Sequence, residues 1–195
     1  MRYSAEHQEE TKRKILGAAG RGFKKAGFGA LGVDALASSA GVTSGAFYGH
    51  FRSKAEAFRS ALSLGLRELR QGIEALQAQN ERGWVEALAE FYFTERVHCD
   101  LADGCALPSL SQDVARSDAK TKAVFETELL AILASLSAGL ERRGVRKNDA
   151  AARAIVMAAI FAGGVTLARS VRDKELRERI ANTLREATNE IAVGR

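Results

Sequence analysis

Proline is almost missing from this 195-residue chain: there is one, Pro108. Long helices can therefore run unbroken, because proline is the residue that removes a backbone donor and clashes with the preceding turn. Alternating runs of β-branched residues are also scarce, while alanine and leucine recur throughout. Together these exclude a sheet-based core and predict an all-α fold. The only two cysteines, Cys99 and Cys105, are too few for a disulfide framework, so free thiols are expected. No run reaches the roughly 18–20 consecutive apolar residues of a membrane span. The most apolar stretch, residues 150–168, is interrupted by Arg153. The opening segment MRYSAEHQEETKRK lacks the apolar core of an export signal, so a cytoplasmic protein without a membrane partner is expected.

The charge is unevenly distributed. Residues 1–60 hold ten Lys/Arg and five Asp/Glu, an excess of five positive charges. The rest of the chain holds nineteen of each, so the whole formal charge of +5 lies in the N-terminal third. A basic head on a neutral body suits a polyanion bound at one end, although a solvated charged face would read the same way.

Apolar periodicity and capping signals mark nine helices. The first covers about Glu9 to Ala26, with Ile15, Ala18, Ala19, Gly22, Phe23 and Ala26 on one face and lysines and arginines largely around it. Gly27 is placed to end it, followed by a hydrophobic Phe28. Two short helices follow, about Val33 to Ala40 and Ser44 to His50, separated by Gly41. Ser53-Lys54-Ala55-Glu56 is a capping box that opens a long helix to about Gln79. Further helices are expected from Trp84 to Cys99, from near Pro108, from Asp118 to Arg143, from Asn148 to Ser170, and from Asp173 to Ala192. Asp100 to Gly104 is expected to be a loop.

Two short helices joined by a glycine turn can set the second one into a DNA major groove. Val33, Leu36, Ala37 and Ala40 form an inner face, Val42 plugs the core, and Phe47 and Phe51 pack the second helix inward. Thr43, Ser44, Gly45, Tyr48, Gly49 and His50 then face solvent or DNA. Hydroxyls, a glycine amide and an imidazole suit phosphates and base edges, and the Lys54 ammonium can meet a phosphate.

The run from Gly41 to Lys54 (GVTSGAFYGHFRSK) resembles the TetR family of bacterial regulators. The shared pattern is a small residue, a Tyr, one variable position, His-Phe, and a Lys three residues beyond the Phe. The Phe23…Gly27-Phe28 spacing is similar to that family's first helix. The resemblance is specific over about Glu9 to Leu69 and architectural beyond. It implies a three-helix helix-turn-helix head over residues 8–68 and a larger helical ligand-binding and dimerisation body over residues 69–195. It also implies DNA contacts by Thr43, Ser44, Gly45, Tyr48, His50 and Lys54. Tyr48, His50 and Lys54 would act as phosphate clamps, with Thr43, Ser44 and Gly45 better placed for bases. Gly49 departs from the bulky residue many members carry there, so one contact is lost.

For the body, the resemblance implies a homodimer, a double-stranded palindromic operator as partner and release by a small-molecule inducer, with repression as the family's usual direction. Trp84, Leu88, Phe91, Glu95, His98, Leu107, Phe125, Met157 and Phe161 are candidates for an apolar ligand pocket, though each could serve simply as core. The helices at about 148–170 and 173–192 are candidates for the dimer bundle; the first is rich in small residues that permit close approach. Cys105, near a helix start, is a candidate reactive thiol for a redox- or electrophile-sensing variant of the same regulator, or merely a small buried residue. No cofactor or metal is expected, since neither metal-ligand spacing nor a nucleophile–base pair emerges. A small all-α enzyme and a protein-interaction module remain as rival readings, and the former lacks paired carboxylates or a phosphate-cradling loop.

Overall fold

The computed structural model describes residues 5–193, and these form nine α-helices without a strand. Helix α1 (Ala5–Ala30) is bent at Gly27, whose φ of 79° is open to glycine at little cost. The bend lets Phe28 turn back to meet Phe23 and Phe58, with ring centroids 6.0 and 5.0 Å away. Ile15, Ala19 and Phe23, spaced four apart, are fully buried along α1. Burying such side chains contributes on the order of 1.5–3 kcal/mol each for the large ones.

Helices α2 (Val33–Ser39) and α3 (Ser44–His50) follow, joined through Gly41 at φ 69°. The Thr43 hydroxyl caps α3 by accepting from the Ala46 amide at 3.1 Å. Phe47 and Phe51 are buried and pack together, as the four-residue spacing predicts. Helix α4 (Lys54–Gln79) opens with Ser53 Oγ accepting from the Glu56 amide. The Glu56 carboxylate reaches back one residue further than the usual box, to the Arg52 amide at 2.8 Å. Running from the base of the head through the body, α4 packs against α1 on one side and α7 on the other.

The expected single helix from Trp84 to Cys99 is interrupted. Helix α5 (Trp84–Glu90) passes into a wide π turn over Phe91–Arg96. Its buried residues explain the change. Val85, Ala89, Phe93 and Val97 repeat every four residues, as do Trp84, Leu88 and Tyr92. A period of four drifts off one face of a 3.6-residue helix, and a wider turn restores the register. Both Tyr92 and Phe93 thereby reach Phe161, Tyr92 stacking on it at 4.2 Å.

The predicted loop holds a short 3-10 turn, Leu101–Asp103, capped by the Asp100 carboxylate. Helix α6 (Ala106–Ala115) tolerates Pro108 because it lies in the first turn. Helices α7 (Ala119–Arg142), α8 (Lys147–Ser170) and α9 (Lys174–Val193) complete the body. Helix α8 starts slightly earlier than expected: Arg146, not Asn148, is at its N-cap and pairs with Asp149 at 2.8 Å. By length and composition α7 and α8 could cross a bilayer, but their inner faces pack on each other, on α4 and on α9. The outer face of α8 stays uncovered, leaving Ile155, Val156 and Leu167 exposed.

Candidate nucleic-acid interface and the cavity beneath it

Helix α3 presents one face to its own core and the other to solvent. Phe47 faces inward, while Thr43, Gly45, Tyr48 and Gly49 are exposed and Ser44 and His50 half-exposed. Tyr48 is 55% exposed, with its ring held edge-on to Phe47, so its hydroxyl projects from a rigid base. Ser44 is less free than expected, because its hydroxyl is hydrogen-bonded to the Asp34 carboxylate of α2. That bond locks the two short helices together at the turn. Asp34 gave no signal in the sequence, because the pairing exists only once α2 and α3 cross.

Lys54 departs most from expectation. Its ammonium donates to the carbonyls of Phe28 and Leu31, both at 2.9 Å, and sits 4.2 Å from the centroid of the Phe28 ring. It therefore ties the end of α1 to the start of α4, and two of its three donors are used inside the head. Arg52, two residues earlier, is exposed, and its guanidinium has no partner among the described residues. It is the freer cation beside His50.

The sequence that builds this arrangement of a short exposed helix, exposed hydroxyls and flanking cations also matches a known family. The profile of the tetR family of bacterial regulatory proteins matches residues 15–61, from α1 into α4. The head is a TetR-type DNA-binding head. Among curated proteins, none matches the chain. The fold extends the likeness past the TetR-type head into the body. A TetR-family regulator from Cytophaga hutchinsonii superposes with a TM-score of 0.82 at 16% identity, over 100% of this chain and 98% of that one. A TetR regulator from Legionella pneumophila gives 0.80 at 17% identity, over 97% and 98%. E. coli NemR in its reduced form gives 0.78 at 21% identity, over 93% and 97%.

Below the TetR-type head lies a cavity of about 710 Å³, walled by α1, α4, α5 with its π turn, and the start of α6. Leu88, Phe91 and Glu95 of the expected pocket residues line it. The others are elsewhere. Trp84, Leu107, Met157 and Phe161 are buried in the core, Phe125 packs half-buried against that core, and His98 pairs with Glu178 on the surface at 3.2 Å. Helical spacing showed that these side chains turn inward but not whether packing closes around them.

The sequence reading missed the part of the wall that α1 supplies: Leu16, Gly20, Arg21 and Lys24. Both cations read as solvated; Arg21 does stay exposed, while the docking of α6 and the 3-10 turn against α1 half-buries Lys24. Two polar contacts fasten this junction. Arg21 pairs with Asp103, and the Phe28 amide donates to the Asp113 carboxylate at 3.1 Å.

Cys105 also lines the cavity and hydrogen-bonds with the Tyr92 hydroxyl at 3.1 Å. Its place at the N-cap of α6 suggested an acidified thiol, but burial pushes the thiol up, outweighing the help of Tyr92, Arg96 and Lys24. Cys99 is held separately, its sulfur and carbonyl both accepting from Arg169 of α8 at 2.9 Å. Among the described residues, no group of three or more His, Cys, Asp or Glu side chains comes together to hold a metal.

Proposed function

We propose that the protein is a homodimeric transcriptional regulator, a repressor in the family's usual direction, that binds a palindromic operator through two heads and is released by a small molecule. The observation that carries the ligand-responsive part is the shared cavity wall. A ligand there touches α1 of the head and α4, α5 and α6 of the body at once. It can therefore bind one head–body angle better than another, which is what shifting an equilibrium requires. Arg169 of α8 donates to the Arg96 carbonyl at the end of the π turn, giving the cavity wall a direct link to the helix assigned to the dimer. The division proposed is a head over residues 8–68 and a body over residues 69–195, with α4 continuous between them.

In the DNA contact, Thr43, Gly45 and the acceptor side of the Ser44 hydroxyl, whose proton is committed to Asp34, meet base edges, while Tyr48 and His50 hold phosphates. Arg52 takes over the phosphate role first given to Lys54. A salt titration of binding to the promoter beside its own gene tests this. Affinity for the specific duplex should fall steeply with salt, and Arg52→Ala should flatten the slope by about one unit. Lys54→Met should instead lower the melting temperature of the head. Thr43→Ser, which keeps the hydroxyl that caps α3 and removes only the methyl group, should alter sequence preference rather than weaken all duplexes equally. If no duplex binds more tightly than random DNA, the regulator reading fails.

A covalent sensing mechanism through Cys105 has less physical support, because a thiol raised by burial offers little thiolate to an electrophile. Cys105→Ser is expected to retain release from DNA by the natural signal. Loss of release with operator affinity intact would restore the thiol-sensing alternative.

A further inference from the structure

The cavity is apolar at one side and charged at the other. Leu69, Ile73, Leu76, Leu88 and Phe91 form the apolar part between α4 and α5. Six charged residues line the rest, three of each sign, but they are not equivalent. Glu68 and Glu95 are exposed, and Asp103 is already paired with Arg21. The two half-buried members are both cations, Lys24 and Arg96.

Lys24 makes no hydrogen bond and no ion pair among the described residues, and burial lowers the pKa of its amine. Glu68 and Asp103 act on it only at a distance. Arg96 lies over the Phe91 ring at 4.4 Å and donates through Nη1 to the Asp103 carbonyl, while its Nε is buried without a partner. Two incompletely satisfied donors on one wall are costly to leave unpaired. An anionic group entering the cavity would give the Lys24 amine a partner and lie in the field of the neighbouring Arg96 guanidinium. The volume falls within the roughly 300–1,000 Å³ of small-molecule sites, so an apolar body can accompany that group.

We propose that the cavity takes an amphiphilic monoanion, its headgroup meeting Lys24 and Arg96 and its apolar body lying between α4 and α5. This rests on the ligand-responsive reading above and names its ligand class. Because Lys24 belongs to α1, the headgroup grips the DNA-binding head while the tail grips the body.

Calorimetry with three probes of one chain length tests it: decanoate, decanol and decylamine, each below its aggregation concentration. Decanoate should bind the full-length protein about tenfold or more tighter than decanol, the effect of a charge-assisted hydrogen bond. Lys24→Met should remove that advantage while leaving decanol binding unchanged, and Lys24→Arg should keep most of it. Lys24→Met should also leave the melting temperature equal or higher, since it deletes an unpaired half-buried amine. Equal binding of decanoate and decanol overturns the proposal, as does no binding by any probe. Preference for decylamine overturns it too, assigning the headgroup to Glu68 and Glu95. These comparisons on the unaltered protein stand even if a variant fails to fold. Operator release is measured separately: decanoate bound without release sinks the ligand-responsive reading and leaves the site intact. Release by some other effector, with no decanoate binding, sinks only the site.

Discussion

Replacing Phe47 with Ala is expected to abolish operator binding while leaving the body folded. Phe47 is fully buried in the head, against Phe51 and beneath Tyr48. Truncating a buried Phe typically costs about 3–5 kcal/mol, through lost transfer energy and the cavity left behind. That is a large share of what a small three-helix unit can hold in reserve. The loss falls on α3, whose seven residues cannot sustain a helix without tertiary support. Operator affinity should drop at least about 100-fold, and the head should lose amide-exchange protection before the body does. A second reading of Phe47, as a wedge inserted between base pairs, predicts something else. There the variant would lose DNA binding with its thermal stability unchanged. Measuring both quantities on one variant separates core from wedge.

The second large effect concerns α8. Ile155 and Leu167 are 58% and 54% exposed, with Ala159 and Gly163 exposed at the intervening four-residue steps. An uncovered stripe with a large side chain at each end and small ones between suits two-fold packing against a second copy. Ile155→Asp would place a carboxylate in that seam twice, once from each subunit, with no partner to offset its desolvation. The protein should then sediment as a monomer with unchanged helicity. Operator affinity should fall by roughly 10²–10⁴, the advantage of tethering one head to another. Paired heads roughly 34–36 Å apart read a palindrome that one head cannot. Leu130 of α7, 60% exposed, offers the contrasting substitution. If Leu130→Asp dissociates the protein and Ile155→Asp does not, the dimer face lies on α7 and this assignment is wrong.

Much of the molecule was legible before any coordinates. Most of the nine helices emerge near their expected bounds because their signals are local, while α1 starts four residues before the expected Glu9 and continues past the bend at Gly27 to Ala30. Gly27 and Gly41 take positive φ, Thr43, Ser53 and Asp118 cap the helices they precede, and apolar residues repeat at helical spacing. The main misreading of regular structure, the π turn after Glu90, had a faint signal in the four-residue apolar period. Recognising it required knowing that Phe161 of α8 stands opposite Tyr92 and Phe93.

By itself, the sequence determined the all-α class, the basic head and the order of turn, core and contact residues from Gly41 to Lys54. Those depend on backbone preferences and on spacing along one chain. Tertiary structure alone decided which of these groups are free to act. Lys54 is drawn onto the carbonyls of Phe28 and Leu31, Ser44 onto Asp34, and the half-buried Cys105 thiol onto the Tyr92 hydroxyl. It also decided where the cavity opens, because Lys24 and Arg96 are far apart in sequence and become neighbours only when the 3-10 turn and α6 dock on α1. Hydrogen-bond commitments and cavities are properties of several packed elements, and no periodicity within one helix encodes them.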